Sequence, residues 1–295
     1  MKTAFVSIIG RTNVGKSTLL NALLGEKISI ISDKPQTTRS RIVGVYNSDD
    51  VQIAFLDTPG FHRPENKLGS RMIEVAEESI GDVDLLLFVA ECRAPGSTER
   101  EIVRRIQASG LPCILALNKI DKVRKEDILK VISDYTQLHE FDSVVPISAL
   151  QQDGVKIILD EILRRTEESP VAYYPTDAAT DRSERYLAGE LVREKLLRNL
   201  RDEIPHGTAV VIELMRERET ADVIDIEATI VCERESHKGI IIGKGGAMLK
   251  KVLTEARRDI ENFLDIKVNL QCWVKVREGW RDSDAQLKNF GFTDN

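Results

Sequence analysis

The stretch Gly10-Arg11-Thr12-Asn13-Val14-Gly15-Lys16-Ser17 decides the fold. It has the pattern GxxxxGK[ST], and it lies between a β-type apolar run at residues 3–9 and a helix-type segment at 16–24. In such a loop, backbone N–H groups and the helix N-terminus face phosphate oxygens, the lysine reaches the outer phosphates and the serine binds Mg²⁺. A glycine-rich turn that binds nothing would need neither of those side chains. The sequence predicts a phosphate-binding loop, whose residues are Gly10, Asn13, Val14, Gly15, Lys16, Ser17 and Thr18.

Outward from this loop, β-type runs alternate with helix-type segments, and this alternation predicts a mostly parallel, doubly wound sheet. The predicted strands are 3–9, 51–56, 84–90, 113–118 and 143–147, and the predicted helices are 16–24, 68–80, 97–109, 125–138 and 155–166. Residues 42–47 can pair antiparallel with 51–56 across a polar turn. An α/β P-loop domain is therefore expected over residues 1–168.

The pattern changes after residue 168. Residues 169–182 contain two prolines and no helical period, which predicts a linker. Beyond it the order becomes helix (183–201), strand (208–216), strand (222–233), a helix pair around residues 243–246, and strand (266–277). Alternating apolar residues give each of these strands one buried face. This order predicts a second, α+β domain over residues 183–295.

The base-reading motifs distinguish guanine from adenine. Asn118-Lys119-Ile120-Asp121 follows a predicted strand and resembles the NKxD motif of translation-factor-class GTPases. A carboxylate at Asp121 can accept hydrogen bonds from guanine N1–H and the N2 amine, a pair that adenine lacks. Ser148-Ala149-Leu150 resembles the next loop of that class, in which the alanine N–H meets guanine O6. The resemblance implies that the nucleotide is GTP.

Two further stretches resemble the switches of GTPases. Asp57-Thr58-Pro59-Gly60 resembles the DxxG motif, in which the aspartate holds Mg²⁺ through water and the glycine N–H senses the γ-phosphate. Upstream, Pro35-Gln36-Thr37-Thr38-Arg39 resembles the first switch, where a threonine binds Mg²⁺ while the γ-phosphate is present; Thr38 is the choice and Thr37 the alternative. For residues 57–60, the simpler interpretation is an ordinary turn formed by the aspartate and the proline. The resemblance implies catalytic roles for Lys16, Thr38, Gly60 and Asn13.

The residue after DxxG is Phe61, where many small GTPases have a glutamine that positions the attacking water. Because a phenyl ring cannot orient water by hydrogen bonding, slow intrinsic hydrolysis is expected. Asn13 resembles an asparagine that ligates K⁺ near the β- and γ-phosphates in related GTPases. Alternatively, Asn13 only braces the loop. Arg39 and Arg63 are other cationic groups that could act there.

A second motif lies in the α+β domain. Gly243-Lys244-Gly245-Gly246 is a GxxG loop between an isoleucine run and an amphipathic helix, and it resembles the KH signature, which holds about four nucleotides. About ten Lys or Arg stand against about five Asp or Glu between residues 238 and 281. The element order is that of the type II KH fold. The expected RNA-binding residues are Ile242, Gly243, Lys244, Gly245, Gly246, Lys250 and Lys251.

Together these motifs resemble the Era family of ribosome-assembly GTPases, of the TrmE-Era-EngA class, over nearly the whole chain. The resemblance implies GTP, GDP and Mg²⁺ as ligands, binding to the 3′ end of 16S rRNA, a role in 30S subunit maturation, a monomer, and loose association with the inner membrane. Two alternatives stay open: a nucleotide-gated RNA chaperone without significant turnover, and an enzyme that modifies tRNA. The chain offers no further catalytic constellation for the second alternative.

Composition excludes several other classes. The chain has 295 residues with a net charge of −6, so a protein that coats nucleic acid indiscriminately is not expected. Its longest apolar runs are strand-sized and no signal-peptide pattern precedes residue 3, which predicts a cytoplasmic protein. Cys92, Cys113, Cys232 and Cys272 have no metal-ligand spacing and are expected as buried thiols.

Overall fold

The computed structural model describes residues 1–81 and 83–292, which form two compact units. The first unit is built on one sheet with the order β2-β3-β1-β4-β5-β6, and β7 pairs with β1. The strands are β1 (Lys2–Ile9), β2 (Ile42–Ser48), β3 (Val51–Asp57), β4 (Leu85–Glu91), β5 (Cys113–Asn118), β6 (Ser143–Pro146) and β7 (Glu167–Glu168). The helices are α1 (Lys16–Leu24), α2 (Lys67–Glu78), α3 (Ser97–Ser109), α4 (Lys125–Thr136) and α5 (Val155–Leu163).

Pairing in this sheet is parallel among β3, β1, β4, β5 and β6, whereas β2 runs antiparallel to β3 as the hairpin prediction requires. Strands β4 and β5 are buried nearly throughout, as expected of strands covered by helices on both faces. The carboxyl ends of parallel strands meet at one edge, so the loops after β1, β3 and β5 converge there. Those loops carry the phosphate, switch and base motifs.

Each face of the sheet has its own core. One cluster packs α1 and α5 around Val6, Ile8, Phe55 and Leu87, and the other packs α2, α3 and α4 around Leu86, Phe88 and Leu115. Successive residues of a strand point to opposite faces, so adjacent residues such as Leu86 and Leu87 belong to different clusters. The predicted α/β class for this domain is confirmed.

The second unit has a three-stranded sheet with the order β10-β9-β8 and helices against one face. Its elements are α6 (Glu184–Asn199), β8 (Ala209–Glu217), β9 (Val223–Cys232), α7 (Glu235–Ile242), α8 (Ala247–Leu264), β10 (Lys267–Val276) and a short α9 (Asp284–Asn289). Strands β10 and β9 are parallel, and β8 and β9 are antiparallel. This is the predicted helix–strand–strand–helix–helix–strand order, and the α+β class is confirmed.

Local chemistry explains the two longest helices of this unit. The Ser183 hydroxyl accepts the N–H of Tyr186 and begins α6. Helix α8 ends at Asp265, which has φ 52°, a left-handed conformation that stops the helix. Helix α6 buries three consecutive charged residues, Arg193, Glu194 and Lys195, and the Lys195 ammonium forms ion pairs with Glu194 (2.8 Å) and with Asp259 of α8. The charges are buried because each has a partner.

The division into units differs from the predicted boundaries for three segments. Residues 30–37 and 65–71 cluster with the second unit, and residues 169–181 of the predicted linker 169–182 cluster with the first. The Gln52 side chain accepts the N–H groups of Tyr173 (2.8 Å) and Tyr174 (2.9 Å), which fixes this segment along the sheet. The stretch therefore packs as part of the first unit over most of its length.

Candidate functional site: a nucleotide pocket and a GxxG loop

The loop after β1 depends on glycine at two positions. Gly10 and Gly15 have φ 152° and 100°, and a Cβ atom would lie 2.3 Å from the Val89 carbonyl at the first and 2.3 Å from the Asn118 amide at the second. Only glycine fits a backbone that turns this tightly against its neighbours. The loop is thereby held against the ends of β4 and β5, with the N-terminus of α1 directed into it.

Lys16 lies at the centre of this loop. Its ammonium donates to the carbonyls of Gly10 (3.1 Å) and Arg11 (3.0 Å), and its side chain is buried. Burial lowers the pKa of Lys16 to about 8, an effect that nearby Asp57 opposes and Arg11 adds to. A buried ammonium whose hydrogen bonds go to carbonyl oxygens is stabilised further by a bound anionic oxygen. The site fits a phosphate.

The three predicted Mg²⁺ ligands meet at one point. The hydroxyl of Ser17 donates to Asp57 Oδ2 at 2.7 Å, and Thr38 Oγ1 lies 3.0 Å from Ser17 Oγ and 3.5 Å from Asp57 Oδ2. Ser29, which the sequence did not single out, donates to the same carboxylate oxygen at 2.9 Å. The Thr37 hydroxyl instead donates to the carbonyl of Lys34, so the geometry favours Thr38 over Thr37.

The carboxylate of Asp57 is incompletely satisfied. Its side chain is fully buried, and within residues 1–81 and 83–292 nothing is hydrogen-bonded to Oδ1. Burial raises the pKa of Asp57, against the opposing effects of Lys16 and the three hydroxyls. An array of hydroxyl and carboxylate oxygens with a buried unused acceptor matches the oxygen ligands that Mg²⁺ prefers. The residues fit a bound magnesium ion.

Gly60 lies directly against the phosphate loop. A Cβ atom there would lie 2.6 Å from Thr12 Cα and 2.9 Å from Lys16 Nζ, and the N–H of Phe61 donates to the Gly10 carbonyl at 3.1 Å. The Phe61 ring is buried in the core, and the Arg105 guanidinium lies over it at 5.2 Å. The ring therefore points away from solvent, in keeping with its predicted inability to orient water.

The other two cationic alternatives differ in exposure. Arg39 is buried, with a relative exposure of 3%, whereas Arg63 is exposed. The Asn13 side chain is also exposed, and its backbone has φ 62°. The backbone carbonyl of Asn13 accepts the ammonium of Lys119 at 2.6 Å, so this carbonyl already has a strong partner.

Asn118 braces the base end of the pocket. Its amide donates to the Val14 carbonyl at 2.8 Å, and its Oδ1 accepts the N–H groups of Lys119 (2.8 Å) and Ala149 (3.0 Å). This one side chain joins the phosphate loop to the loop after β6. Since Asn118 already accepts the Ala149 N–H here, contact between that N–H and guanine O6 stays a prediction.

The carboxylate that is predicted to read the base, that of Asp121, is positioned by the loop after β6. The Ser148 hydroxyl donates to Asp121 Oδ1 at 2.6 Å, which fixes the carboxylate at the mouth of the pocket. Asp121 itself is exposed, and the Leu150 side chain has a relative exposure of 77%. The structure thus brings Asp121, Ser148 and Asn118 together, while the side chain of Leu150 points into solvent.

An ion-pair cluster at the end of β4 was not foreseen from the sequence. Glu91 Oε1 accepts the Lys119 ammonium at 2.5 Å, and Glu91 Oε2 accepts the Arg11 guanidinium at 3.0 Å. Arg11 also pairs with the nearly buried Glu99 at 3.1 Å. Although burial opposes it, Lys119 and the arginines hold the pKa of Glu91 below its ordinary value. No local motif marks Glu91, because its partners come from two other loops.

The GxxG loop of the second unit joins α7 to α8. Gly243, Gly245 and Gly246 all have positive φ (74°, 59° and 81°), and a Cβ at Gly243 would lie 2.7 Å from Met248 Cβ. These glycines make the abrupt turn between helices possible. Lys244 is exposed at the tip. The loop presents backbone and one cation to solvent.

A groove of about 500 Å³ begins at this loop. It is lined by Gly246, Leu249, Lys250, Leu253, Thr254, Arg257 and Leu270. Lys250 and Lys251 are both exposed on α8, and Ile242 is partly buried at the end of α7. An apolar floor with cations along its rim suits bases and phosphates of a single strand. Trp273, which the sequence left unassigned, has a relative exposure of 45%, whereas Trp280 packs beneath Phe290 and Phe292.

The comparisons with known proteins agree with both halves of this description. Residues 5–119 match the model of the 50S ribosome-binding GTPase family, and residues 203–281 match that of the KH domain. The fold and the two sites therefore define a P-loop GTPase joined to a KH domain.

Full-length relatives identify the family. The chain is 49% identical to GTPase Era of Clostridium kluyveri over 293 residues, and this alignment covers 99% of each chain. It is 48% identical to GTPase Era of Ruminiclostridium cellulolyticum over 295 residues, and this alignment covers 100% of this chain and 98% of the relative. The chain belongs to the Era family of GTPases.

Two solved structures are similar over 100% of both chains, each with 38% identity and a TM-score of 0.96. One is a single-residue variant of Aquifex aeolicus Era bound to GDP and AlF4⁻. The other is Era in complex with MgGDPNP and nucleotides 1506–1542 of 16S ribosomal RNA. The predicted family and GTPase activity are thereby confirmed.

Proposed function

We propose that this GTPase is a switch in which bound GTP controls the grip of the KH domain on the 3′ end of 16S rRNA during maturation of the 30S subunit. The observation that carries the proposal is the meeting of Ser17, Thr38 and Asp57. Thr38 belongs to the first switch, so an ion held by all three ligands ties that switch to the nucleotide. The Era complex with MgGDPNP and 16S rRNA supports the same pairing of ligands.

At the phosphates, Lys16 and the loop N–H groups of Gly10, Val14, Gly15 and Thr18 bind the β- and γ-phosphates, and Gly60 senses the γ-phosphate. Ser17 and Thr38 would hold Mg²⁺ directly, and Asp57 would hold it through water. An ion held there would supply positive charge that offsets the charge of the phosphate oxygens. When the γ-phosphate is lost, Thr38 and Gly60 lose the contacts that keep them ordered.

At the base, Asp121 selects guanine through two accepted hydrogen bonds, and Asn118 and Lys119 hold the loops that enclose the ring. Ser148 keeps the Asp121 carboxylate in position, with Ala149 and Leu150 completing the loop. Adenine would leave the carboxylate of Asp121 facing a ring edge without two donors, so ATP is rejected.

At the KH domain, Gly243, Gly245 and Gly246 allow the RNA backbone to approach closely, and Lys244, Lys250 and Lys251 pair with phosphates. Ile242, the last residue of α7, adds an apolar contact beside the loop. About four nucleotides span such a clamp.

We also propose that Asn13 ligates a second cation, K⁺. Its exposed side chain on the phosphate loop could ligate K⁺, which would supply positive charge where charge develops in the transition state. The alternative, a loop brace, predicts no cation dependence. Turnover measured in KCl and in NaCl at equal ionic strength separates the two: a clear loss in Na⁺ supports the K⁺ site, and equal rates exclude it.

The switch itself is tested by RNA binding. A fluorescent RNA with the 16S rRNA 3′-terminal sequence should bind more tightly with a GTP analogue than with GDP, while a scrambled RNA should bind weakly in both states. Equal affinity in the two nucleotide states contradicts the switch. Phosphate release over many turnovers separates this protein from a chaperone that binds GTP without significant hydrolysis.

Location and assembly stay predictions of the family resemblance. Within residues 1–81 and 83–292, no helix combines the length and the apolar character that a bilayer crossing needs. A cytoplasmic protein with peripheral attachment to the inner membrane, and a monomeric state, are the expectations. Fractionation and light scattering of the purified protein would check them.

A further inference from the structure

The residue after Phe61 has the chemistry that Phe61 lacks. His62 follows the DxxG motif by two positions, and its Nδ1 lies 2.9 Å from the carbonyl oxygen of Gly60. A carbonyl can only accept, so Nδ1 must carry the proton and donate it. In the neutral imidazole this assigns the lone pair to Nε2. The hydrogen bond to Gly60 therefore makes Nε2 an acceptor.

That acceptor is left unused by the residues that the structure describes. Nε2 of His62 is buried, and no group of the described residues, 1–81 and 83–292, is hydrogen-bonded to it. Burying an acceptor without a donor costs free energy, so such an atom is typical of a site completed by a ligand or by water. This orphan acceptor belongs to a side chain anchored on the γ-phosphate sensor.

Gly60, to which the His62 ring is bonded, lies directly against the phosphate loop. Its Cα faces Thr12 and the ammonium of Lys16 so closely that any side chain at this position would collide with them. The Phe61 N–H is bonded to the Gly10 carbonyl, which fixes the chain on the phosphate loop just before His62. The His62 ring is bonded to the Gly60 carbonyl, and Gly60 lies against the Lys16 ammonium that binds the outer phosphates. The ring is therefore held two residues from this contact.

We propose that His62 orients the attacking water for GTP hydrolysis, with Nε2 accepting a hydrogen bond from that water. Oriented by Nε2, the water oxygen forms a bond to the γ-phosphorus while the bond from the γ-phosphorus to the bridging oxygen breaks. The bond electrons leave on GDP, and both water protons depart with inorganic phosphate as H2PO4⁻. His62 ends unchanged and supplies the acceptor that glutamine supplies in other GTPases.

Two substitutions separate the ring nitrogens. The amide of asparagine lies near the position of Nδ1, so His62→Asn keeps the bond to the Gly60 carbonyl and loses the outer acceptor. The amide of glutamine reaches the position of Nε2, so His62→Gln restores an acceptor there. His62→Ala removes both. A role confined to bracing Gly60 predicts that asparagine works and glutamine does not, which is the reverse of the proposal.

Single-turnover hydrolysis of GTP is the measurement. We expect His62→Ala and His62→Asn to slow it by about 10- to 100-fold and His62→Gln to stay within about threefold of the unmodified protein. The affinity for GDP should be unchanged in all three. The thermal midpoint should be unchanged in His62→Asn and fall only slightly in His62→Ala and His62→Gln, which lose the hydrogen bond to the Gly60 carbonyl. His139→Asn, on a histidine that packs edge-on against Phe141 outside the pocket, is the matched control.

The affinity of the GDP-bound protein for AlF4⁻ gives an independent readout, since this complex mimics the transition state. It should weaken in His62→Asn and recover in His62→Gln. Full activity of the alanine or asparagine variant, or a glutamine variant as slow as the asparagine variant, would overturn the proposal.

Discussion

The hydroxyl of Ser17 donates to the carboxylate of Asp57 at 2.7 Å, although forty positions of sequence separate the two residues. Ser17 lies in the first turn of α1 and Asp57 ends β3, so this bond joins the phosphate loop to the predicted second switch. Thr38 Oγ1, 3.0 Å from the same hydroxyl, adds the predicted first switch. Ser17 is therefore the shared element of the pocket.

Replacing Ser17 by alanine should weaken Mg²⁺-dependent binding of GTP by about 10- to 100-fold, because one ion ligand and the hydrogen bonds to Asp57 and Thr38 are lost together. Binding of GDP in EDTA should change little, since the loop backbone is intact. Titration of a fluorescent nucleotide with and without Mg²⁺ measures both. Ser79→Ala is the control, because the Ser79 hydroxyl, just after α2, donates to the Val75 carbonyl of that helix. Equal losses with and without Mg²⁺ would contradict the assignment.

Replacing Asp121 by asparagine should exchange guanine for xanthine specificity. The amide donates where the carboxylate accepted, so it loses the guanine N2 amine and gains the O2 carbonyl of xanthine. We expect GTP affinity to fall by about 100-fold or more and XTP affinity to rise. Competition binding with GTP, XTP and ATP tests this, and an unaltered GTP affinity would refute the role of Asp121.

Replacing Lys244 by glutamate should weaken RNA binding and lower the slope of log affinity against log salt by about one, the value for a single phosphate contact. GTP hydrolysis without RNA should not change. Lys156→Glu provides a matched control, because Lys156 is an exposed lysine on α5 that pairs with Asp160. RNA affinity that falls equally in both variants would indicate a general charge effect instead of a clamp.

The four cysteines should react slowly with thiol reagents in the folded protein. Cys92, Cys113 and Cys232 are buried, and Cys272 is partly buried. Burial raises the pKa of all four thiols, to about 12 for Cys272, so the reactive thiolate is scarce at pH 8. We expect slow reaction with a disulfide reagent in the folded protein and fast reaction in denaturant. Rapid modification of any of them at pH 8 without unfolding would contradict this.

The sequence predicted the fold and the motif-bearing loops because those depend on local pattern. Alternating strand and helix signals set the sheet, and Lys16, Ser17 and Asp57 each stand in a recognisable string. Ser29 and Glu91 escaped prediction because each acts through a tertiary contact without a local signature. The same limit hid the packing of the predicted linker on the sheet.

A substitution at Glu91 tests the importance of a tertiary contact that the sequence did not reveal. Its carboxylate holds the Lys119 ammonium at 2.5 Å and the Arg11 guanidinium at 3.0 Å, so it joins the base motif to the phosphate loop. In Glu91→Gln the amide is a weaker, uncharged acceptor. We expect the affinities for GTP and GDP to fall together by about three- to tenfold, since the γ-phosphate is not involved.

Stopped-flow release of a fluorescent GDP should show the Glu91→Gln loss as faster dissociation, because association is set by access to the pocket and not by this ion pair. Glu101→Gln is the matched control: it also removes a carboxylate paired with arginine, but on the exposed face of α3. If both variants release GDP at the unmodified rate, the Glu91 ion pair is dispensable for nucleotide binding. In that case the remaining contacts are sufficient: Lys119 is held by the Asn13 carbonyl and Arg11 by Glu99.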